Sequence, residues 1–262
     1  MLDFVRRLFG ASRQAATRAQ SEARHVRLDT LPAVVYAIGD VHGCLEELRS
    51  LERKITQDSA GIEGYKLLVM LGDYIDRGPN SAGVIDHLLA LPPDGFERIC
   101  LMGNHEVMAS AFLDQPSPRS DWLSFGGAET MQSYGLPSFA PSGSSASRVR
   151  QAVEAHVPQE HRDFLRSLAW TLSLPGWLFV HAGLRPGLPL EEQDPEDLFW
   201  IREEFFAAPA LPQIRIVHGH TPAAEPVVTP GRICLDTGAF ATGRLTALKI
   251  TSDGQTRILQ TP

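Results

Sequence analysis

Five short polar motifs, each at the end of an apolar run, contain the residues that could carry out chemistry. They hold five of the nine histidines and lie at 39–43, 72–78, 103–106, 181–183 and 218–221. Together they supply carboxylates, an amide and imidazoles, the mixed oxygen and nitrogen donors that a pair of divalent first-row metals requires. The motifs therefore predict a binuclear metal site.

Two residues of the second motif have the chemistry for distinct tasks. A pair of ions needs one ligand that contacts both, and the carboxylate of Asp73 can turn one oxygen to each ion. The guanidinium of Arg77 matches two phosphate oxygens and can neutralise charge that develops on them. We therefore expect Asp73 between the ions and Arg77 on a bound phosphate, with a second arginine nearby.

The elements that position the first three motifs alternate along the chain. Buried strands are predicted at 33–38, 66–71 and 98–102, each followed by a helix, at 44–57, 81–91 and 105–113. Repeated strand–helix units predict a largely parallel sheet with ligands in the loops at the carboxyl ends of its strands. The first three motifs occupy those loops.

The second half of the chain begins with a break in this pattern. Prolines and a Ser/Gly-rich run predict a cap-like insert around 114–147, and a helix is expected from 148 to 168. The remaining apolar runs predict strands at 177–180, 214–217, 232–236, 245–250 and 256–259, the last two as a hairpin.

Composition limits the class of protein. With 262 residues and 43% apolar content, the chain can bury one substantial core, so residues 31–262 are expected to form one catalytic domain. A net charge of −7 argues against nucleic acid as a partner. Three widely spaced cysteines indicate a reducing, cytoplasmic location.

Residues 1–30 form a basic N-terminal segment. It lacks the apolar length of a secretory signal, and no run approaches the about 20 apolar residues of a membrane span. We expect a solvated, frayed helix, with weak contact to an anionic membrane or a partner as the alternative.

Three motifs are complete in the forms Gly-Asp-x-His-Gly, Gly-Asp-x-x-Asp-Arg-Gly and Gly-Asn-His-Glu. In order, identity and spacing they resemble the signature of the metal-dependent phosphoprotein phosphatases of the metallophosphoesterase superfamily. The resemblance covers Pro32 to about Leu259. Segments 122–135 and 198–205 are similar to bacterial members and to the Rhizobiales-like phosphatases of plants. The implied fold is α/β, the calcineurin-like metallophosphoesterase fold with two packed β-sheets flanked by helices.

The resemblance also implies ligands for two metal positions that share one carboxylate. The first position would take Asp40, His42 and Asp73, and the second would take Asp73, Asn104, His181 and His220. Manganese is the expected ion, with iron or zinc as alternatives. His218 is placed beside the ligands or on the substrate side, and Glu106 is expected to brace its motif by hydrogen bonds.

Catalytic roles follow from the same match. His105 would protonate the leaving oxygen and Asp76 would orient its imidazole, although His105 could instead be a metal ligand and Asp76 a loop cap. Asn104 and Arg77 would contact substrate. Arg202 matches the bacterial segment as the second phosphate-binding arginine. Alternatively, Arg202 forms a surface ion pair with a neighbouring glutamate, and Arg185 binds the phosphate instead.

The expected activity is that of a phosphoprotein phosphatase. A metal-bridging hydroxide would attack phosphomonoesters of serine, threonine or also tyrosine directly, in phosphoproteins, phosphopeptides and small aryl phosphates. A symmetrical diadenosine tetraphosphatase is the alternative enzyme, because it shares the metal motifs. A non-catalytic scaffold that keeps a metallophosphoesterase fold is the alternative from another class.

Overall fold

Two β-sheets lie face to face in the computed structural model, which describes residues 24–136 and 145–262. The strands are β1 His25–Arg27, β2 Val34–Ile38, β3 Lys66–Met70, β4 Phe96–Cys100, β5 Thr171–Leu174, β6 Trp177–Val180, β7 Arg215–His218, β8 Val227–Val228, β9 Arg232–Cys234, β10 Thr246–Thr251 and β11 Thr256–Gln260. The smaller sheet has the order β11-β10-β2-β3-β4, and the larger has β1-β5-β6-β7-β9-β8.

Helices cover the outer faces of the sheets. They are α1 Leu45–Asp58, α2 Ser81–Leu89, α3 Asn104–Asp114, α4 Gly127–Ser133, α5 Ala146–His156, α6 Gln159–Ser167, α7 Pro195–Trp200, α8 Glu203–Ala207 and α9 Ala239–Thr242, with single 3₁₀ turns at Asp121–Phe125 and Leu190–Glu192. In the described part of the chain, no helix has both the length and the apolar character needed to cross a bilayer. The predicted α/β fold with two packed sheets is confirmed.

The strand sequences explain why both sheet faces are covered. Strands β2, β3 and β4 pair in parallel, and β2 and β3 carry apolar residues at nearly every position, which is typical of strands buried on both faces. Val35 and Leu67 face the inter-sheet core with Phe179 and Val217 of the larger sheet. The alternate residues Tyr36 and Leu68, together with their neighbours, meet the helices.

Some predicted elements differ from the observed ones. The expected helix at 148–168 is divided into α5 and α6, because Pro158 forces Val157 into an extended conformation. The predicted N-terminal segment 1–30 lies mostly outside the described residues, but His25–Arg27 joins the larger sheet beside β5. Of the predicted insert at 114–147, residues 121–133 fold against the loop after β3, and 137–144 lie outside the described residues.

Candidate metal centre

All five motifs converge at one end of the two sheets. The loops after β2 and β3 and the start of α3 come from the smaller sheet, and the loops after β6 and β7 come from the larger one. Buried ligand atoms from these loops form two groups that could each hold a metal ion. The groups are His42 with Asp73 and His105, and Asp73 with His181 and His220.

Asp73 belongs to both groups and turns a different oxygen to each. Its Oδ2 lies 3.6 Å from His42 Nε2, and its Oδ1 lies 3.4 Å from His181 Nε2. This is the arrangement expected of a carboxylate that contacts two ions. The sequence-based expectation for Asp73 therefore agrees with its position between the groups.

The hydrogen bonds of two histidines indicate which ring nitrogens face the centre. Nδ1 of His42 lies 2.8 Å from the Ile75 carbonyl, and Nδ1 of His181 lies 2.9 Å from the Leu71 carbonyl. A neutral ring that donates through Nδ1 presents a lone pair at Nε2. His181 Nε2 then faces another acceptor, Asn104 Oδ1, at 2.9 Å. Two acceptors in contact fit a cation between them.

Asp40 is buried beside two further carboxylates. Burial raises the pKa of Asp40 well above its ordinary value, and the charges of Asp236 and Asp73 raise it further. The His220 backbone N–H donates to Asp40 at 3.0 Å, and Gly219 is required there because a side chain would collide with the Asp40 carboxylate. Buried charges of one sign need compensation, so this cluster also fits cations.

Glu106 connects the second and third motifs through backbone hydrogen bonds. Its Oε2 accepts from the N–H groups of Asp73 and Gly103 at 2.8 and 2.9 Å, and its Oε1 accepts from Tyr74 N–H at 2.8 Å. The carboxylate thus holds the backbone of Asp73 in place. The prediction that Glu106 braces its motif is confirmed.

His105 and Asp76 form a buried hydrogen-bonded pair. His105 Nδ1 lies 2.6 Å from Asp76 Oδ2, and the same oxygen accepts from Trp122 Nε1 at 2.7 Å. Thr130 Oγ1 donates to the other oxygen at 2.6 Å. Burial raises the pKa of Asp76, while these three hydrogen bonds oppose the rise. His105 Nε2 faces Arg77 Nη2 at 3.1 Å.

The two candidates for the second arginine lie in different surroundings. Both Nε and Nη2 of Arg185 bind the Asp197 carboxylate, at 2.6 and 2.5 Å. Arg202 is exposed. The pKa of His220 is lowered to about 3, mainly by burial, and the positive charges of His181 and Arg202 lower it further. Arg185 is therefore held in an ion pair with Asp197, whereas Arg202 is exposed and adds positive charge at His220.

His218 does not join either group. It is fully buried with its ring 5.2 Å from the ring of Phe205 and 6.0 Å from that of Phe206, centroid to centroid. Its Nδ1 lies 3.0 Å from the Gly219 carbonyl.

Three further residues lie at the centre: the sequence places Asp236 in a supporting turn near the site without a role, and it assigns no role to Trp122 or Phe240. Asp236 lies beside Asp40, with its pKa raised to about 6 mainly by burial, and it is the last residue of the strand predicted at 232–236. That strand-end position was the available signal. Both Trp122 and Phe240 lie outside the five motifs, although Trp122 begins the segment 122–135 that resembles bacterial members. Phe240 is 41% exposed and stacks on the Arg77 guanidinium at 5.0 Å.

The backbone at the centre adopts an unusual conformation. In the described part of the chain, six residues other than glycine have positive φ, between 43° and 73°. Five of them belong to the motifs: His42, Asp73, Asp76, Arg77 and His220. Residues with side chains are strained in this region, and such strain concentrates at functional sites.

Comparisons with known proteins agree with this geometry. A family model for calcineurin-like phosphoesterases matches residues 33–241. An asymmetrical bis(5'-nucleosyl)-tetraphosphatase, PrpE, of Bacillus thuringiensis (strain Al Hakam) is 30% identical over 227 residues, covering 81% of this chain and 88% of the relative.

Two solved structures share the fold. One, of a presumed diadenosine tetraphosphatase, has a TM-score of 0.65 at 21% identity and covers 91% of this chain and 98% of its own. The other, a cold-active protein-tyrosine phosphatase of a psychrophilic Shewanella species, has a TM-score of 0.54 at 17% identity and covers 90% and 82%. With the family match spanning all five motifs, the chain belongs to the calcineurin-like phosphoesterase family.

Proposed function

We propose that the protein is a metal-dependent phosphatase that hydrolyses phosphomonoesters on protein side chains. The observation that carries the proposal is the buried pair of His105 and Asp76, with Trp122 and Thr130 holding the Asp76 carboxylate. This pair is built as a general acid beside a candidate metal centre.

The proposed ligands share Asp73 as the two groups do, but they add Asp40 to the first and Asn104 to the second, and they leave His105 free as the acid. One ion would be held by Asp40, His42 and Asp73, and the other by Asp73, Asn104, His181 and His220. The opposed acceptors of His181 and Asn104 support the second position. When bound, divalent ions supply Lewis acidity that activates water and draws charge from phosphoryl oxygens. Manganese is the ion we expect, with iron or zinc as alternatives.

The side chains of the site would divide the remaining work. Arg77 and Arg202 bind phosphoryl oxygens, and His105 donates the proton on Nε2 to the leaving oxygen. Burial and the charge of Arg77 lower the pKa of His105, but the charge of Asp73 and the hydrogen bond and charge of Asp76 outweigh them, so its pKa lies above the ordinary value. Asp76 keeps the ring oriented and stabilises the imidazolium.

The presence of this acid supports a phosphomonoester over a phosphoanhydride. The alkoxide of serine or threonine is a strong base and leaves slowly unless it is protonated. A nucleotide released from a polyphosphate is a stable anion that needs no proton. A rigidly braced acid is therefore most useful when the leaving group is an alcohol.

Dinucleoside tetraphosphates are the second candidate substrates. The observation in their favour is the 30% identity to a protein named as an asymmetrical bis(5'-nucleosyl)-tetraphosphatase. The sequence motifs suggested the symmetrical enzyme as the alternative, so the position of cleavage is a further question for this candidate. A non-catalytic scaffold is disfavoured because the acid pair and both candidate ligand groups are retained.

The test is the activity of His105→Asn on substrates that differ in the leaving group. We expect a loss of about 100-fold or more in kcat on a phosphoserine peptide, and a much smaller loss on p-nitrophenyl phosphate, whose phenolate leaves without a proton. His156→Asn, at an exposed helix position, is the matched control. Equal losses on both substrates, or faster wild-type turnover of diadenosine tetraphosphate than of any phosphopeptide, would refute the proposal.

A further inference from the structure

A cavity of about 360 Å³ lies on the outer side of the larger sheet, away from the inter-sheet core. It is enclosed by the loop at 184–188, helix α8 with the segment that follows it, and the turn between β8 and β9. This volume is in the range of small-molecule sites. Phe205 at its back also contacts His218 and the Gly183 backbone, so the cavity lies behind two of the site loops.

The walls of the cavity are mainly apolar and offer few hydrogen-bond donors. Phe206, Leu211 and Ile216 contribute side chains, and Leu211 is 43% exposed at the rim. Three lining residues are prolines, which have no backbone N–H: Pro186, Pro209 and Pro230. A peptide, which needs partners for its own backbone, would find few of them here.

One positive charge enters this apolar space. The guanidinium of Arg232 lies over the ring of Phe206, 4.4 Å from its centroid, and 6.0 Å from that of Phe205. Within residues 24–136 and 145–262, no carboxylate lies within ion-pair distance of Arg232. By contrast, Arg185 at the same cavity is neutralised by Asp197. Arg232 is therefore a half-buried cation available to an anion.

We propose that this cavity binds a medium-chain fatty acid, with its carboxylate on Arg232 and its alkyl chain along Phe206 and Leu211. An alkyl chain needs no hydrogen bonds from the proline-rich walls, and burying it removes apolar surface from water. The carboxylate matches the planar donors of the guanidinium. This site is separate from the metal centre and does not depend on the reaction proposed there.

Isothermal titration calorimetry of decanoate against the purified full chain tests the proposal. We expect saturable binding to the wild type and a loss of about ten-fold or more in affinity for Arg232→Gln, which removes a charge-assisted hydrogen bond. Arg49→Gln, which alters an exposed arginine on α1, should bind like the wild type. Ala208→Trp, which adds a large side chain to the lining of the cavity, should also abolish binding.

Two further ligands test whether the negative charge of the carboxylate contributes to binding. Decanol and decyltrimethylammonium carry the same chain without the negative charge, and both should bind at least about ten-fold more weakly than decanoate. Thermal melts of each variant confirm that it is folded. The proposal is overturned if the wild type shows no saturable binding, if either Arg232→Gln or Ala208→Trp binds like the wild type, or if the neutral or cationic ligand binds as tightly as decanoate.

Discussion

Replacing Trp122 with phenylalanine should slow turnover while leaving the metal centre intact. Trp122 is buried, its ring packs 4.8 Å from that of Phe112, and its Nε1 donates to Asp76 Oδ2. Trp122→Phe keeps an aromatic ring in the same space but removes the N–H. Asp76 then loses one of the three side-chain donors that stabilise its charge, and it holds His105 less firmly.

The size of the effect follows from the kind of hydrogen bond lost. A hydrogen bond to a buried charged group contributes about 1.5–3 kcal/mol. If this energy supports the orientation and charge of His105 in the transition state, kcat falls about ten- to hundred-fold. Because burial raises the pKa of Asp76 and the Trp122 bond opposes that rise, its loss raises the pKa further. The acidic limb of the kcat profile should therefore move to higher pH.

The assay is the pH dependence of kcat on a phosphoserine peptide, with bound metal measured on the same preparations. Trp170→Phe is the matched control, because the Trp170 indole nitrogen is buried without a hydrogen-bond partner in the described part of the chain. The control should lose stability only. If Trp122→Phe retains the wild-type kcat and pH profile, or if its loss equals that of Trp170→Phe, Trp122 does not act through Asp76.

Three other substitutions test separate features of the structure. Asp73→Asn should abolish activity and lower bound metal, measured by elemental analysis, because it removes the charge shared by both ligand groups. Arg202→Ala should weaken inhibition by inorganic phosphate and raise KM at normal metal content, whereas Arg185→Ala should do neither; the reverse result would transfer the role to Arg185. Arg98→Ala should lower the free energy of unfolding in urea by about 3–5 kcal/mol, since this buried arginine pairs with a glutamate and binds three carbonyls at the end of α2. Arg49→Ala, on the surface, should change it by less than about 0.5 kcal/mol.

The positions of the candidate ligands could be predicted because strand ends constrain them. Asp40, Asp73 and His181 each follow an apolar strand. The paired strands β2 and β3 bring the first two loops together, and the packing of the two sheets brings the loop after β6 to them. The position of Asp73 between the two candidate groups was expected from the chemistry of a carboxylate. The sequence could not decide between Arg202 and Arg185 as the second phosphate-binding arginine. The ion pair between Arg185 and Asp197 is visible only in the folded chain.

Residues outside periodic segments were harder to predict. Trp122 donates a hydrogen bond to Asp76, which lies 46 residues earlier in the sequence, and no local sequence pattern indicates such a contact. Phe240 lies on a four-residue helix, too short to show a period. The helix expected at 148–168 is interrupted at Val157, because the residue before a proline avoids the helical conformation. Tertiary contacts and local sterics, rather than composition, account for these differences.

The left-handed backbone conformation at the motifs affects which substitutions would accumulate if selection for activity were lost. Holding a residue other than glycine in that conformation costs about 1–3 kcal/mol. Selection for activity keeps such residues, so a copy released from that selection would gain stability by exchanging them for glycine. Arg77 is the first candidate, because its side chain is exposed and glycine there would leave no buried cavity. Glycine at position 77 in a descendant would therefore be an early sign that catalysis had been lost.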